Sequence, residues 1–177
     1  MLAEMEAHMP LVRALRNAGL RERHWQQLQQ QTGLALRPSL DLTLGTLLAR
    51  HDFAPHLATL EAVSAVAGHE HRLEMQLEHM SAELSACALT LAPHAPSGGL
   101  VLERPVALLA LLEAQGLAVG ALRASPYVAP FAPRAAAWQA RLGRLAELLG
   151  RWLACQRRWV QPPPICTSSD LAAQLPA

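Results

Sequence analysis

His69-Glu70-His71, followed by Glu74, Glu78 and His79, is the densest group of potential metal ligands in the chain. On a helix, residues three and four apart are neighbours, so His71, Glu74 and Glu78 would share one face, and imidazole with carboxylate is a set that zinc accepts. A metalloprotease helix needs His-Glu-x-x-His, however, and the position that would complete it from His69 is Leu73. No second segment of matching ligand spacing stands elsewhere in the sequence. These residues therefore read as the solvated, charged flank of a helix, and no metal site is assigned.

Arg21-Glu22-Arg23-His24-Trp25 carries the side chains that grip phosphate and stack on bases. No other basic cluster extends it into a nucleic-acid groove, so His24 and Trp25 are expected in the core with the flanking charges solvated. His51 and His56 are tied by no motif to a Ser or Cys nucleophile. Cys87, Cys155 and Cys166 are odd in number and lack metal-type spacing, which predicts free thiols in a reducing compartment. G-x-x-x-x-G-K-[ST], G-x-G-x-x-G and G-x-S-x-G are all missing. No catalytic or cofactor-binding residue is assigned.

The elements that must position these residues are helices. Of 177 residues, 51% are hydrophobic but only 4% aromatic, and Ala and Leu dominate, which suits helix packed on helix better than β-branched sandwiches. Fifteen basic residues, all Arg, face fourteen acidic ones. A net charge of +1 gives no general attraction to nucleic acid or acidic membrane. No run of about 18 uninterrupted apolar residues occurs, and Glu4, Glu6 and His8 interrupt the start, so neither a membrane span nor a signal peptide is expected. The expectation is a soluble, intracellular chain.

The strongest periodicity runs from Trp138 to Trp159. Trp138, Leu142, Leu145, Leu149, Trp152, Gln156 and Trp159 recur at spacings of four and three, the signature of one helical face. That face is expected to bury against partner helices and, with Trp25 and His24, forms the set of structural or interaction residues. Further helices are predicted over about 9–17, 20–31, 43–50, 56–84, 105–122 and 133–160, with Asp41 as a possible cap and Gly68 as a possible kink. The apolar runs flanking Pro93, Pro96 and Gly98-Gly99 predict a hairpin over about 87–102. Pro162-Pro163-Pro164 stops the last helix, and a polar turn and frayed end are expected beyond it. The fold class is mostly α, an elongated bundle of long helices with a small β-hairpin insertion, in one domain over 1–177.

Several segments, in order, carry a resemblance. Arg13-Ala14-Leu15-Arg16-Asn17-Ala18-Gly19-Leu20-Arg21-Glu22-Arg23-His24-Trp25 is similar to the R-x-L-R-N-P-G-[LM]-R-x-R-H-W signature of the dynein heavy chain linker. Asp41-Leu42-Thr43-Leu44 resembles its D-x-T-L, His69-Glu70-His71-Arg72-Leu73-Glu74 its K-E-Y-x-L-E, and Arg123-Ala124-Ser125-Pro126-Tyr127 its R-G-S-P-[FY]. Trp152 to Trp159 matches W-L-x-V-Q-x-x-W, and Pro164 to Leu171 weakly echoes L-E-P-I-F-S-S-x-D-I. The wording around Asn17 to Trp25 is more similar to axonemal, especially single-headed inner-arm, heavy chains than to cytoplasmic ones. Ala18 stands in place of the family's Pro, Leu84 of a Trp, Pro162-Pro163 of Leu-Glu, and Cys166 of Phe.

The resemblance implies a portion of a mechanical lever, a bent bundle of long helices lying across a ring of AAA modules. Its swing couples ATP hydrolysis in that ring to minus-end-directed movement along a microtubule in cilia or flagella. It places the protein in the cytoplasm and cytoskeleton, at the ciliary or flagellar axoneme. The implied partners are the dynein AAA ring in cis and, through the parent complex, dynein intermediate and light chains and microtubules; no nucleic acid and no membrane are implied. ATP and Mg belong to the parent ring, so this chain alone is expected to need no cofactor and to be neither motor nor enzyme. The rival reading is a stand-alone helical adaptor that binds a partner helix through the Trp138–Trp159 face.

Overall fold

The computed structural model describes residues 2–34, 36, 43–95 and 98–160. The chain is mostly helical, with long helices and a small two-stranded sheet. In order come α1 (Leu2–Leu15), α2 (Glu22–Thr32), α3 (Leu44–Arg50), a 3-10 turn (Ala54–His56), α4 (Leu57–Ala86), β1 (Leu91–His94), β2 (Gly99–Leu102), α5 (Pro105–Arg123), a second 3-10 turn (Ala129–Phe131) and α6 (Ala132–Val160). These form two compact units, one from residues up to Gln76 with Ser125–Phe131, the other from Leu77–Ala124 and the chain from Ala132 on.

The first unit closes around an apolar cluster of Leu11, Ala14, Trp25, Leu28, Leu47, Phe53, Leu60 and Val63. α1 begins at Leu2, seven residues earlier than its predicted start, and contains Pro10. The expectation of a start near Met9 followed the apolar spacing alone, and that spacing is silent about a polar, helix-favouring stretch such as Glu4 to Ala7. α2 ends at Gly33, whose φ of 72° is left-handed and lets its N–H donate to Gln29 O at 2.9 Å. Thr43 caps α3, its Oγ1 accepting from Thr46 N at 3.2 Å while Thr43 N donates to Thr46 Oγ1 at 3.1 Å. Asp41, the expected cap, lies outside the described residues, as do the proline run, Cys166 and everything after it. α4 continues through Gly68 without a break.

In the second unit the hairpin is antiparallel, pairing Leu91 with Leu102 and His94 with Gly99. Its strands are shorter than the predicted 87–102 because Cys87 to Thr90 precede the ladder, closed by Glu103 N donating to Thr90 O at 2.8 Å. Gln156 Oε1 on α6 accepts from Leu102 N at 2.8 Å, which binds the buried end of β2 to the helix. A Cβ on Gly99 would meet Trp159 Cζ2 at 2.6 Å, so only glycine lets that ring lie against the strand. α5 packs along α6, burying Leu112, Val119 and Leu122 together with Ala135, Leu142 and Leu149. Gln115 Nε2, buried in α5, donates to Met80 O and Glu83 Oε2 of α4, each at 3.0 Å. By length and composition α5 is also apolar enough to cross a membrane, with a mean hydropathy of 1.7.

Two glycines should respond oppositely to alanine. A Cβ would meet nothing within 4 Å at either Gly33 or Gly116, so backbone conformation alone decides. Gly33→Ala places a side chain in a left-handed cap and should lower stability by about 1 kcal/mol. Gly116→Ala, in the middle of α5, should raise it by up to about 1 kcal/mol. Denaturant midpoints that shift in the same direction for both would contradict this account.

Candidate functional site

The turn between α1 and α2 lies directly on α4. A Cβ on Gly19 would come within 2.8 Å of the Ala67 carbonyl carbon, nearer still to its oxygen, and within 2.9 Å of His71 Cβ. Gly19 and Ala67 are both buried, Ala67 completely. With no side chain between the two backbones, Asn17 reaches across the helix, its Nδ2 donating to Ser64 O at 2.6 Å and Ser64 Oγ at 3.0 Å. Asn17 Oδ1 accepts from Gly19 N at 2.9 Å, so one amide shapes the turn and pins it.

Further along α4 the contacts become ionic. Glu70 Oε2 accepts from Arg23 Nε at 3.0 Å and from the Arg23 terminal nitrogen, and lies 3.1 Å from His24 Nε2. Glu74 Oε2 accepts from Arg21 at 2.6 Å and lies 3.8 Å from His71 Nδ1. The Arg23 guanidinium also sits 5.7 Å from the centre of the Phe131 ring. Tyr127 stacks on His69 with centroids 4.3 Å apart and planes 10° from parallel. Trp25 is buried in the apolar cluster beside this set.

His24 is the most enclosed polar member, 2% exposed. Its Nδ1 accepts from Arg21 N at 3.0 Å, which fixes the neutral tautomer with the proton on Nε2. Nε2 faces Glu70 at close range without the alignment of a hydrogen bond. Burial holds the His24 pKa below its ordinary 6.5; Glu70 opposes this, and the charges of Arg23 and Arg21 reinforce it.

The sequence expectation for this region needs correction. His69 to His79 reads as a solvated flank, and Glu78 and His79 are indeed exposed, but Glu70 is only 8% exposed because α2 presents Arg23 and His24 to it. Arg21 and Arg23 do not simply meet water; each keeps roughly half its side chain exposed and spends its charge on α4. The signal in the sequence was opposite charge, two arginines against two glutamates, but Arg21 and Arg23 are two apart and Glu70 and Glu74 four apart, so spacing alone does not pair them. Among the described residues no three His, Cys, Asp or Glu side chains are grouped to hold a metal. His51 packs edge-on against Phe53, with centroids 5.9 Å apart. Cys87 and Cys155 are free thiols, the first half-buried and the second exposed.

In the second unit the seven residues of the α6 face do not share one fate. Leu142 and Leu149 are buried, while Trp138, Leu145 and Gln156 are half-buried. Arg141 lies 5.2 Å from the centre of the Trp138 ring, and Trp138 Nε1 is enclosed without a partner. Trp152 and Trp159 remain 42% and 47% exposed, although the sequence predicts that this face buries against partner helices. Among the described residues α5 packs along α6, and near the end of α6 the β2 strand meets Gln156 and Trp159. Trp152 borders an apolar groove of about 490 Å³ with Leu84, Cys87, Leu108, Leu145 and Leu148.

The first-unit arrangement is a clamp: these donors, acceptors and the close backbone approach all engage other parts of the same chain. The family model for the dynein heavy chain, N-terminal region 2, matches residues 1–177. The chain is 32% identical to dynein axonemal heavy chain 1 of Mus musculus and 33% identical to that of Homo sapiens, in each case over 99% of its length and 4% of theirs. It is 31% identical to dynein axonemal heavy chain 12 of Rattus norvegicus over 89% of its length and 5% of the relative's.

Gly19→Ala should cost about 3 kcal/mol, since the new methyl group meets backbone that cannot step aside. A double-mutant cycle on Arg23 and Glu70 should give a coupling of about 1–2 kcal/mol, discounted for the exposure of Arg23, against less than about 0.5 kcal/mol for the solvent-facing Glu147–Arg151 pair. Equal couplings from chemical denaturation would mean that Glu70 gains nothing from its burial.

Proposed function

Because the chain belongs to the dynein heavy chain N-terminal region 2 family, we propose that it is a mechanical linker segment of an axonemal dynein heavy chain. On this reading it transmits to microtubule-based, minus-end-directed movement the conformational change driven by ATP hydrolysis in the AAA ring. ATP and Mg are held by that ring, and the chain's own residues serve stiffness and docking. Its place is the cytoskeleton, at the axoneme of a cilium or flagellum. Its partners are the ring in cis and, through the parent complex, intermediate chains, light chains and microtubules. The chain spans about one twenty-fifth of the relatives it matches, so these activities are those of the larger assembly.

One observation carries the proposal. The segments Arg13–Trp25, His69–Glu74 and Tyr127, which bear the family signature and are far apart in sequence, come together on α4. A part that bears load needs its long helix held against sliding and rotation, and directional polar contacts to fixed carbonyls and carboxylates supply that restraint. The exposure of Trp152 and Trp159 favours a second reading, an adaptor that takes a partner helix on the Trp138–Trp159 face. Mixing the purified chain with a dynein ring lacking its own linker separates the two, since docking supports the lever and indifference the adaptor.

In a dynein heavy chain carrying this segment, Glu70→Gln should slow microtubule gliding while hydrolysis without microtubules persists. Unchanged gliding, or gliding and hydrolysis lost in parallel, would remove the case for mechanical coupling.

A further inference from the structure

We infer that His24 is an acid-labile fastening, holding the Asn17–Trp25 turn on α4 only while its imidazole is neutral. The geometry makes the protonation state matter at both nitrogens. Nδ1 is the acceptor for the Arg21 N–H that opens α2, at 3.0 Å. A proton added there turns the acceptor into a donor aimed at another donor, and the Arg21 N–H loses its partner. At 2% exposure no water replaces it without opening the turn.

The compensation available at the other nitrogen is partial: Glu70 favours the cation but does not outweigh burial. Nε2 faces Glu70 Oε2 at 3.1 Å, but that oxygen already accepts from two nitrogens of Arg23, and the approach of Nε2 is not aligned for a hydrogen bond. The charged groups around the ring are Glu70 on α4, Arg23 on α2 and Arg21 at the N-cap of α2. Arg21 is engaged with Glu74 Oε2, which also lies 3.8 Å from His71 Nδ1. A cationic His24 would thus share one carboxylate with an arginine while standing beside a second arginine.

The direction with pH follows. The pKa of the buried ring is depressed, so the folded turn favours the neutral form and the opened turn takes up the proton more readily. The contribution is complete above 6.5, the ordinary value, and is lost as pH falls from there towards the folded pKa. Below 6.5 the equilibrium for opening the turn should rise by up to about tenfold per pH unit.

The test is histidine ¹⁵N NMR with amide hydrogen exchange on the full chain, from pH 7.5 to 5. His24 should show an unprotonated Nδ1 at neutral pH and titrate below 6.5, and the protection of the Arg21 and Trp25 amides, corrected for intrinsic rates, should fall on acidification. His24→Asn should flatten that fall and His71→Asn should leave it. A proton on Nδ1 at neutral pH, or His24 titration at or above 6.5, overturns the inference even where the Asn variant does not fold. So does an equal loss of protection in His24→Asn and the unaltered chain.

Discussion

The contact between Gly19 and the backbone of Ala67 is the constraint from which the first unit is built. Any other residue at position 19 would hold the turn off α4 by the thickness of a methyl group, because the atoms it would meet are a carbonyl and a helix-borne Cβ rather than a movable side-chain tip. The polar contacts are downstream of that approach. Asn17 reaches Ser64 only from a turn seated on the helix, and Arg21, Arg23 and His24 reach Glu70 and Glu74 only once α2 leaves that turn at the same height. The loss of one hydrogen atom's worth of space at Gly19 would thus be felt at Glu74, several ångströms along α4, without any change in the residues that touch there.

Helix periodicity carried most of the architecture. α5 and α6 have nearly their predicted limits because Pro105 and Pro133 mark their first turns and the leucine spacing is regular between. Periodicity failed where it had nothing to register, as at the start of α1, where residues before Met9 are helical without a regular apolar stripe. The site was half-legible. His24 and Trp25 lie in the core as their spacing with Leu28 implies, and the same stretch carries the family signature. What spacing could not supply was the partner of each charge. A glutamate that faces solvent and one that faces an arginine from another helix look alike in one dimension, and the difference between Glu70 and Glu78 is decided by where α2 docks.

The α6 face shows the opposite failure, in which a strong pattern promised more than the packing delivers. Seven residues lie on one stripe, yet among the described residues α5, with 19 residues, is shorter than the 29-residue α6, so burial follows the partner rather than the pattern. Gln156, the only polar member, makes the most specific contact of the seven, accepting the Leu102 N–H where a leucine would leave that buried donor unsatisfied. A polar residue within an apolar stripe therefore marks the point where a helix meets backbone rather than side chains.

α4 shows why such contacts matter more than their small energies suggest. Apolar burial is proportional to area and largely indifferent to direction, so a leucine-lined helix held by leucines alone can rotate a little or slip with little penalty. A hydrogen bond loses most of its strength within some tens of degrees. In the first unit Asn17 fixes Ser64 and Arg23 fixes Glu70, and in the second Gln115 fixes the carbonyl of Met80 and the carboxylate of Glu83. Each therefore sets the rotational phase of α4 at its own turn. The leucines supply most of the stability of such an arrangement, and the few polar grips decide which of the many leucine-compatible packings is the one adopted.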